Sequence, residues 1–149
     1  MNLLGPMDYK EHRDFIMVAM TGVEFFSEIS PEELDRASAF IQLVEFDSGE
    51  IVFHKDTEGD AFYLVYTGKV KAVNPGLLWS STLGEIGPGN FFGEIALILN
   101  RPRGATIQCV EPTQCFRIDR AAYASLIENN FKLAVHIKDV ALRRYNSGN

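Results

Sequence analysis

Glu94 and Arg103 are the residues of this chain whose types and spacing best suit joint chemistry. They sit in the run Phe92-Gly93-Glu94-Ile95-Ala96-Leu97-Ile98-Leu99-Asn100-Arg101-Pro102-Arg103-Gly104-Ala105-Thr106. A carboxylate accepts hydrogen bonds from sugar hydroxyls and is a poor neighbour for a phosphate. A guanidinium offers a planar fork of donors that fits two phosphate oxygens better than an ammonium does. Gly93 allows a backbone conformation or a ligand approach that a Cβ would block. Glu94 to Leu99 reads as a short apolar helical turn whose first amides lack intrahelical partners, a natural anion cradle. Pro102 stops the turn, and Gly104, Ala105 and Thr106 are small enough for a ligand to lie against the backbone. An acceptor for a sugar and a cation for a phosphate, with small residues between them, make a nucleotide site that has no triphosphate loop.

This run resembles the phosphate-binding cassette of the cyclic nucleotide-binding domain family, which includes kinase regulatory subunits, cyclic-nucleotide-gated channels and bacterial catabolite activator proteins. The pattern Phe-Gly-Glu, an apolar-Ala-Leu turn, Pro-Arg, any residue, Ala and Thr or Ser is met at each defining position. The resemblance implies that Glu94 holds the ribose 2′-hydroxyl and that Arg103 neutralises the cyclic phosphate. Backbone amides at Gly93, Ala96 and Gly104 would complete the cradle, with Ile95 and Ala105 lining it. Family members that favour cyclic GMP often carry Thr directly after the cassette arginine. Gly104 offers no hydroxyl there, so cyclic AMP is expected ahead of cyclic GMP, with Leu83 as an apolar contact beneath the base. The glycine also departs from the commoner Ala, Ser or Thr and adds backbone freedom.

The elements that must position these residues are legible upstream and downstream. Phe46 to Phe53 reads as a turn entering a β-rich run, and Glu58 to Val73 as aromatic and β-branched strands broken by glycines. Turn signals recur at short intervals between residues 42 and 118, the spacing of a sandwich or barrel of short antiparallel strands. The expected fold is mainly β with flanking helices, matching the family's eight-stranded antiparallel jelly-roll barrel with a C-terminal helical lid. Ser30-Pro31-Glu32-Glu33 predicts a helix over 31–39, and residues 8–20 form an amphipathic candidate with Phe15, Ile16 and Ala19 on one side. Asp119 is placed to cap a helix over 120–129, Asn129-Asn130 marks a break, and a last helix is expected from Phe131 to Tyr145. Residues 1–24 are expected to form an N-terminal helical segment and residues 25–149 the binding domain.

Composition bounds the function. The chain has 149 residues and 46% apolar content, enough for one domain with a real core. No apolar run approaches the roughly 20 residues needed to span a bilayer, and the first residues do not form a signal peptide. A cytoplasmic location is therefore expected. The net charge of −6 has the wrong sign for a phosphate-backbone binder, and only four residues follow Tyr145, where the bacterial activators carry a helix-turn-helix. Direct DNA binding is not expected.

Other chemistries find little footing. His12, His54 and His136 lie in distant segments without ligand spacing, and His54 reads as a solvated loop residue, so no metal or cofactor is expected. Ser80, Ser81 and Thr82 are read as a loop after Trp79 with no histidine base nearby. Cys109 and Cys115 are expected as thiols on opposite faces of their strands. The resemblance implies that a bound nucleotide draws the last helix over the base. Leu133, Val135, Ile137, Val140 and Leu142 make that helix apolar on more than one face, and Tyr145 or Phe131 could stack on the base. Its output would be an effector protein or a homodimer through paired helices. Two alternatives stay open: an interaction module that kept the fold without the ligand, and a cupin-like metalloenzyme.

Overall fold

The computed structural model describes residues 1–76 and 81–147. Its strands are β1 (Asn2–Pro6), β2 (Gln42–Phe46), β3 (Ile51–Phe53), β4 (Ala61–Thr67), β5 (Val70–Asn74), β6 (Ser81–Ile86), β7 (Phe91–Phe92), β8 (Thr106–Cys109) and β9 (Thr113–Asp119). One sheet runs β1-β2-β9-β4-β7 and the other β3-β8-β5-β6, with every pairing antiparallel. From β2 onward the partners nest: β2 with β9, β3 with β8, β4 with β7 and β5 with β6. A ribbon folded back on itself and wound into two facing sheets gives this order, that of a jelly roll.

β1 corrects the expectation of a purely helical residues 1–24. Asn2 to Pro6 pairs with Glu45 to Gln42 along the edge of the first sheet. Its exposed leucines and its glycine carry no helical period, so only the neighbouring strand gives this segment a place to put its backbone hydrogen bonds. Ser81 and Thr82, expected in a loop, lie in β6 paired with Asn74 and Val73. Trp79 and Ser80 lie outside the described residues.

The helices are α1 (Tyr9–Thr21), α2 (Pro31–Ala37), α3 (Glu94–Ile98), α4 (Arg120–Ile127) and α5 (Phe131–Ser147), with single 3-10 turns at Glu24–Phe26 and Ser38–Phe40. Each start has a chemical cause. The Asp8 carboxylate accepts from Glu11 N, and Asp119 from Ala122 N. Ser30 and Glu33 form a reciprocal capping box with Pro31 at the first helical position. Asn130 accepts from Leu133 N at 2.9 Å while its amide donates to Glu33 Oε2 at 2.5 Å, so one side chain caps α5 and ties it to the start of α2.

The first sheet is buried on both faces, and this sets the positions of the cysteines. Its inner face meets the second sheet through Val44, Phe46, Ala61, Tyr63, Val65 and Cys115, which pack with Val70, Ile107 and Cys109. Its outer face carries Phe62, Leu64, Phe116 and Ile118 under Ile16, Met20, Phe26, Leu34, Leu133 and Ile137 of the helical layer. Cys115 does alternate with Phe116 and Ile118, but those two face the helices, so Cys115 and Cys109 share the layer between the sheets. The expected opposite orientation is thus overturned. Both are free, buried thiols, and burial pushes Cys115 up to about 12.

Candidate functional site

Gly93 opens the cassette in the left-handed region, with φ +83°, immediately after β7. A Cβ there would lie 2.8 Å from Arg103 Nη1 and 3.2 Å from Phe53 Cε2, so glycine is required by both conformation and space. α3 follows for little more than one turn. Asn100, also at positive φ, reverses the chain, and Arg101 N donates back to Ala96 O at 3.0 Å. Gly59 lets the preceding loop lie directly against Ala96, where a Cβ would overlap it.

The return strand is gripped by the same loop. Asp56 N donates to Arg103 O and Arg103 N to Thr57 O, both at 2.8 Å, and Glu58 pairs with Pro102. From α4, Arg120 donates to Gly59 O at 3.2 Å, to Leu97 O at 3.4 Å and to Asn100 Oδ1 at 3.0 Å. One guanidinium thus ties the C-terminal end of the turn that carries Glu94 to the loop at Gly59.

Arg103 is only 2% exposed. Nη1 donates to Gly93 O at 2.8 Å, and Nη2 to Ala61 O at 2.6 Å and to Asp60 Oδ1 at 3.4 Å. Its Cζ stands 3.8 Å from the centroid of the Phe53 ring. Asp60 also meets Arg117 Nη2 at 3.3 Å. Burial draws the Arg103 pKa down from its ordinary value, against the opposing influence of Tyr63 and Asp60.

Glu94 is not ion-paired with Arg103. Burial pushes its carboxyl above the usual carboxylate range, countered in part by its own backbone amide, Arg144 and Arg103. Its Oε2 is buried and has no hydrogen-bond partner, and neither does the buried Nε of Arg103. Unsatisfied buried polar atoms are few in native proteins and ask for an explanation. Of the three such atoms found among the described residues, Arg117 Nε belongs to a residue outside the hollow, whereas Glu94 Oε2, an acceptor, and Arg103 Nε, a donor, belong to residues lining one hollow of about 320 Å³.

That hollow brings together Gly93, Glu94, Ile95, Ala96, Arg103, Gly104 and Ala105. Leu83 is not among its lining residues: it stands 61% exposed on β6, the outer strand of the second sheet. Phe131, at the far end of α5, is 82% exposed and also stands apart, whereas Tyr145 lines the hollow. Sequence reasoning gave no binding role to Phe53, Arg101, Ile107 and Arg144, which line it as well. Arg101 lay inside the motif, but the linear pattern does not show what its side chain meets. Phe53 and Arg144 come from β3 and α5, so only tertiary structure brings them here. His54 is exposed after β3, and among the described residues no group of His, Cys, Asp and Glu could hold a metal ion.

Comparison with known proteins agrees with this geometry. The family description "Cyclic nucleotide-binding domain" matches residues 43–130. The chain is 32% identical to the cyclic AMP receptor protein of Thermus thermophilus over 84% of its own length and 58% of that protein's. It is 32% identical to a cAMP-dependent protein kinase regulatory subunit of Yarrowia lipolytica over 68% of this chain and 26% of that one. It therefore spans little more than half, or about a quarter, of these relatives. The crystal structure of the Thermus thermophilus catabolite activator protein aligns with TM-score 0.70 and 31% identity, over 85% of this chain and 60% of that one. A cyclic nucleotide-binding domain from Methylobacillus flagellatus aligns with TM-score 0.77 and 22% identity, over 97% and 82% of the two chains, and shows the shared fold. No described helix is long and apolar enough to cross a membrane.

Proposed function

Because this chain belongs to the cyclic nucleotide-binding domain family, we propose that it is a sensor module that binds cyclic AMP in the cassette hollow and signals through α5. The observation that carries this reading is the pair of unsatisfied buried atoms, Glu94 Oε2 and Arg103 Nε, at one hollow. A ribose 2′-hydroxyl is a donor for the first, and a cyclic phosphate is an acceptor for the second. The amides of Gly93, Ala96 and Gly104 complete the phosphate cradle. Curated relatives are named as a cyclic AMP receptor and as regulatory subunits of a cAMP-dependent kinase; binding without turnover is the activity proposed here.

Cyclic AMP is favoured over cyclic GMP because Gly104 places no hydroxyl beside the cassette arginine. α5 supplies Arg144 and Tyr145 to the rim of the hollow, so a ligand there and the position of α5 are coupled through direct contact. Its exposed face, with Phe131, Val135 and Leu142, is offered to a second copy or an effector. Titration calorimetry with cyclic AMP and cyclic GMP tests the binding, and tighter binding of cyclic AMP is the expected result. No heat with either nucleotide refutes the sensor and leaves the interaction module. Amide exchange across residues 131–145 that is identical with and without saturating cyclic AMP refutes the signalling step.

A further inference from the structure

We propose that Arg101 is a positioning residue whose guanidinium holds the Tyr145 ring over the cassette hollow. The inference rests on the reading of that hollow as a cyclic nucleotide site. Arg101 Cζ lies 5.1 Å from the centroid of the Tyr145 ring, within cation–π range, and both residues line the hollow. The backbone beneath the cation is fixed on both sides. Arg101 N is bonded to Ala96 O, Asn100 is held by Arg120, and Pro102 pairs with Glu58. The guanidinium therefore projects from a rigid turn, whereas Tyr145 belongs to the last turns of a helix whose far end is tied down by Asn130.

A second contact runs the other way. Arg144 of α5 stands 4.8 Å from the centroid of the buried Phe25 ring, in the 3-10 turn that also receives His136 and Arg143 through Glu24. The cassette thus puts a cation on a helix aromatic, while the helix puts a cation on an aromatic beside the cassette. Two crossed contacts fix the rotation of α5 as well as its distance, and the Tyr145 ring is the element they hold over the hollow. Arg101 is exposed and, among the described residues, its side chain donates no hydrogen bond to the core, so its replacement is expected to leave the fold intact.

A cation–π contact at an exposed site corresponds to a change of roughly two- to fivefold in an equilibrium. The test compares Arg101→Leu, Tyr145→Leu and the double variant with the parent chain, by hydrogen exchange without nucleotide and by calorimetry with cyclic AMP. The expected result is faster exchange over 141–147 in Arg101→Leu without nucleotide. Cyclic AMP binding should weaken about threefold, and Arg101→Leu should add nothing in the Tyr145→Leu background. Unchanged exchange overturns the proposal. So does an equal loss of affinity in both backgrounds, because Arg101 would then act on the ligand as a cation and not through Tyr145. If cyclic AMP does not bind the parent chain, the proposed function fails, and the exchange arm still decides whether Arg101 holds α5.

Discussion

Arg103 donates from Nη1 to the carbonyl of Gly93 at 2.8 Å, so the cation and the glycine that opens α3 form one unit. The second arm of the same guanidinium reaches Ala61 O at the start of β4. Replacing Arg103 therefore has two consequences. If Arg103 neutralises a cyclic phosphate as proposed, Arg103→Ala is expected to weaken cyclic AMP binding by about 2–5 kcal/mol, read by calorimetry. It also removes the charged donor from Gly93 O and from the buried Ala61 O, bonds of about 1.5–3 kcal/mol each, so a lower urea midpoint accompanies the loss of binding. Undiminished affinity in a folded variant would reject the site.

Glu94 gives a prediction with a pH signature. Its folded pKa lies above the ordinary carboxylate value, chiefly through burial. A carboxyl raised in this way is an unfavourable charge in the fold once it ionises, and the penalty disappears as acid protonates it. Stability lost to Glu94 should therefore be absent below the unfolded value of 4.5 and should grow as pH rises through the folded value. Glu94→Gln is expected to raise the melting temperature at pH 7 and to match the parent at acid pH, while weakening cyclic AMP binding. Equal melting temperatures at both pH values would contradict the buried, partnerless carboxylate.

Two cassette glycines should respond in opposite ways to alanine. Gly93 combines φ +83° with a Cβ position 2.8 Å from Arg103 Nη1, so Gly93→Ala is expected to cost about 1–3 kcal/mol of stability and to displace the cation. Gly104 has no atom within 4 Å of its would-be Cβ and no positive φ. Gly104→Ala should stabilise by about 0.4–1 kcal/mol through the unfolded chain and bind cyclic AMP at least as well. Denaturant unfolding of the pair checks both signs.

Why the motif was readable and its surroundings were not follows from where the information lies. The cassette is contiguous, and its types constrain one another over a few residues, so the motif alone pointed to Gly93, Glu94 and Arg103 as neighbours, and the structure brings them to one hollow. The caps at Ser30 and Asp119 are local in the same sense. Leu83 stands outside the hollow, and a strand residue beside turn signals gives no indication that it will sit on β6, an edge strand of the second sheet. The two cysteines failed because alternation reports faces but not what covers them, and here both faces of the first sheet are buried. Residues 2–6 form a strand only because β2 offers an edge. Arg101, Tyr145 and Phe53 meet through tertiary structure, and no local pattern announces that.

Asn130 links the start of α5 to the start of α2, and this makes the capped end of the helix testable apart from its far end. Its Oδ1 accepts from Leu133 N, and its Nδ2 donates to Glu33 Oε2. Burial alone would push the Glu33 carboxyl up, but the bonds from Asn130 and Ser30 outweigh it and hold that carboxyl below its ordinary value. Its contribution to stability is accordingly present above pH 4.5 and lost as pH falls through the depressed folded value. Asn130→Ala removes a helix cap, about 0.5–2 kcal/mol, together with one of the bonds that sustain this depression. The variant should be less stable than the parent at pH 7, with the difference narrowing in acid, and exchange should quicken over the first turn of α5 before it quickens near Tyr145. Loss of protection along the whole helix at once would mean that α5 docks as a single rigid unit, and that contacts at its far end cannot be adjusted independently of its cap.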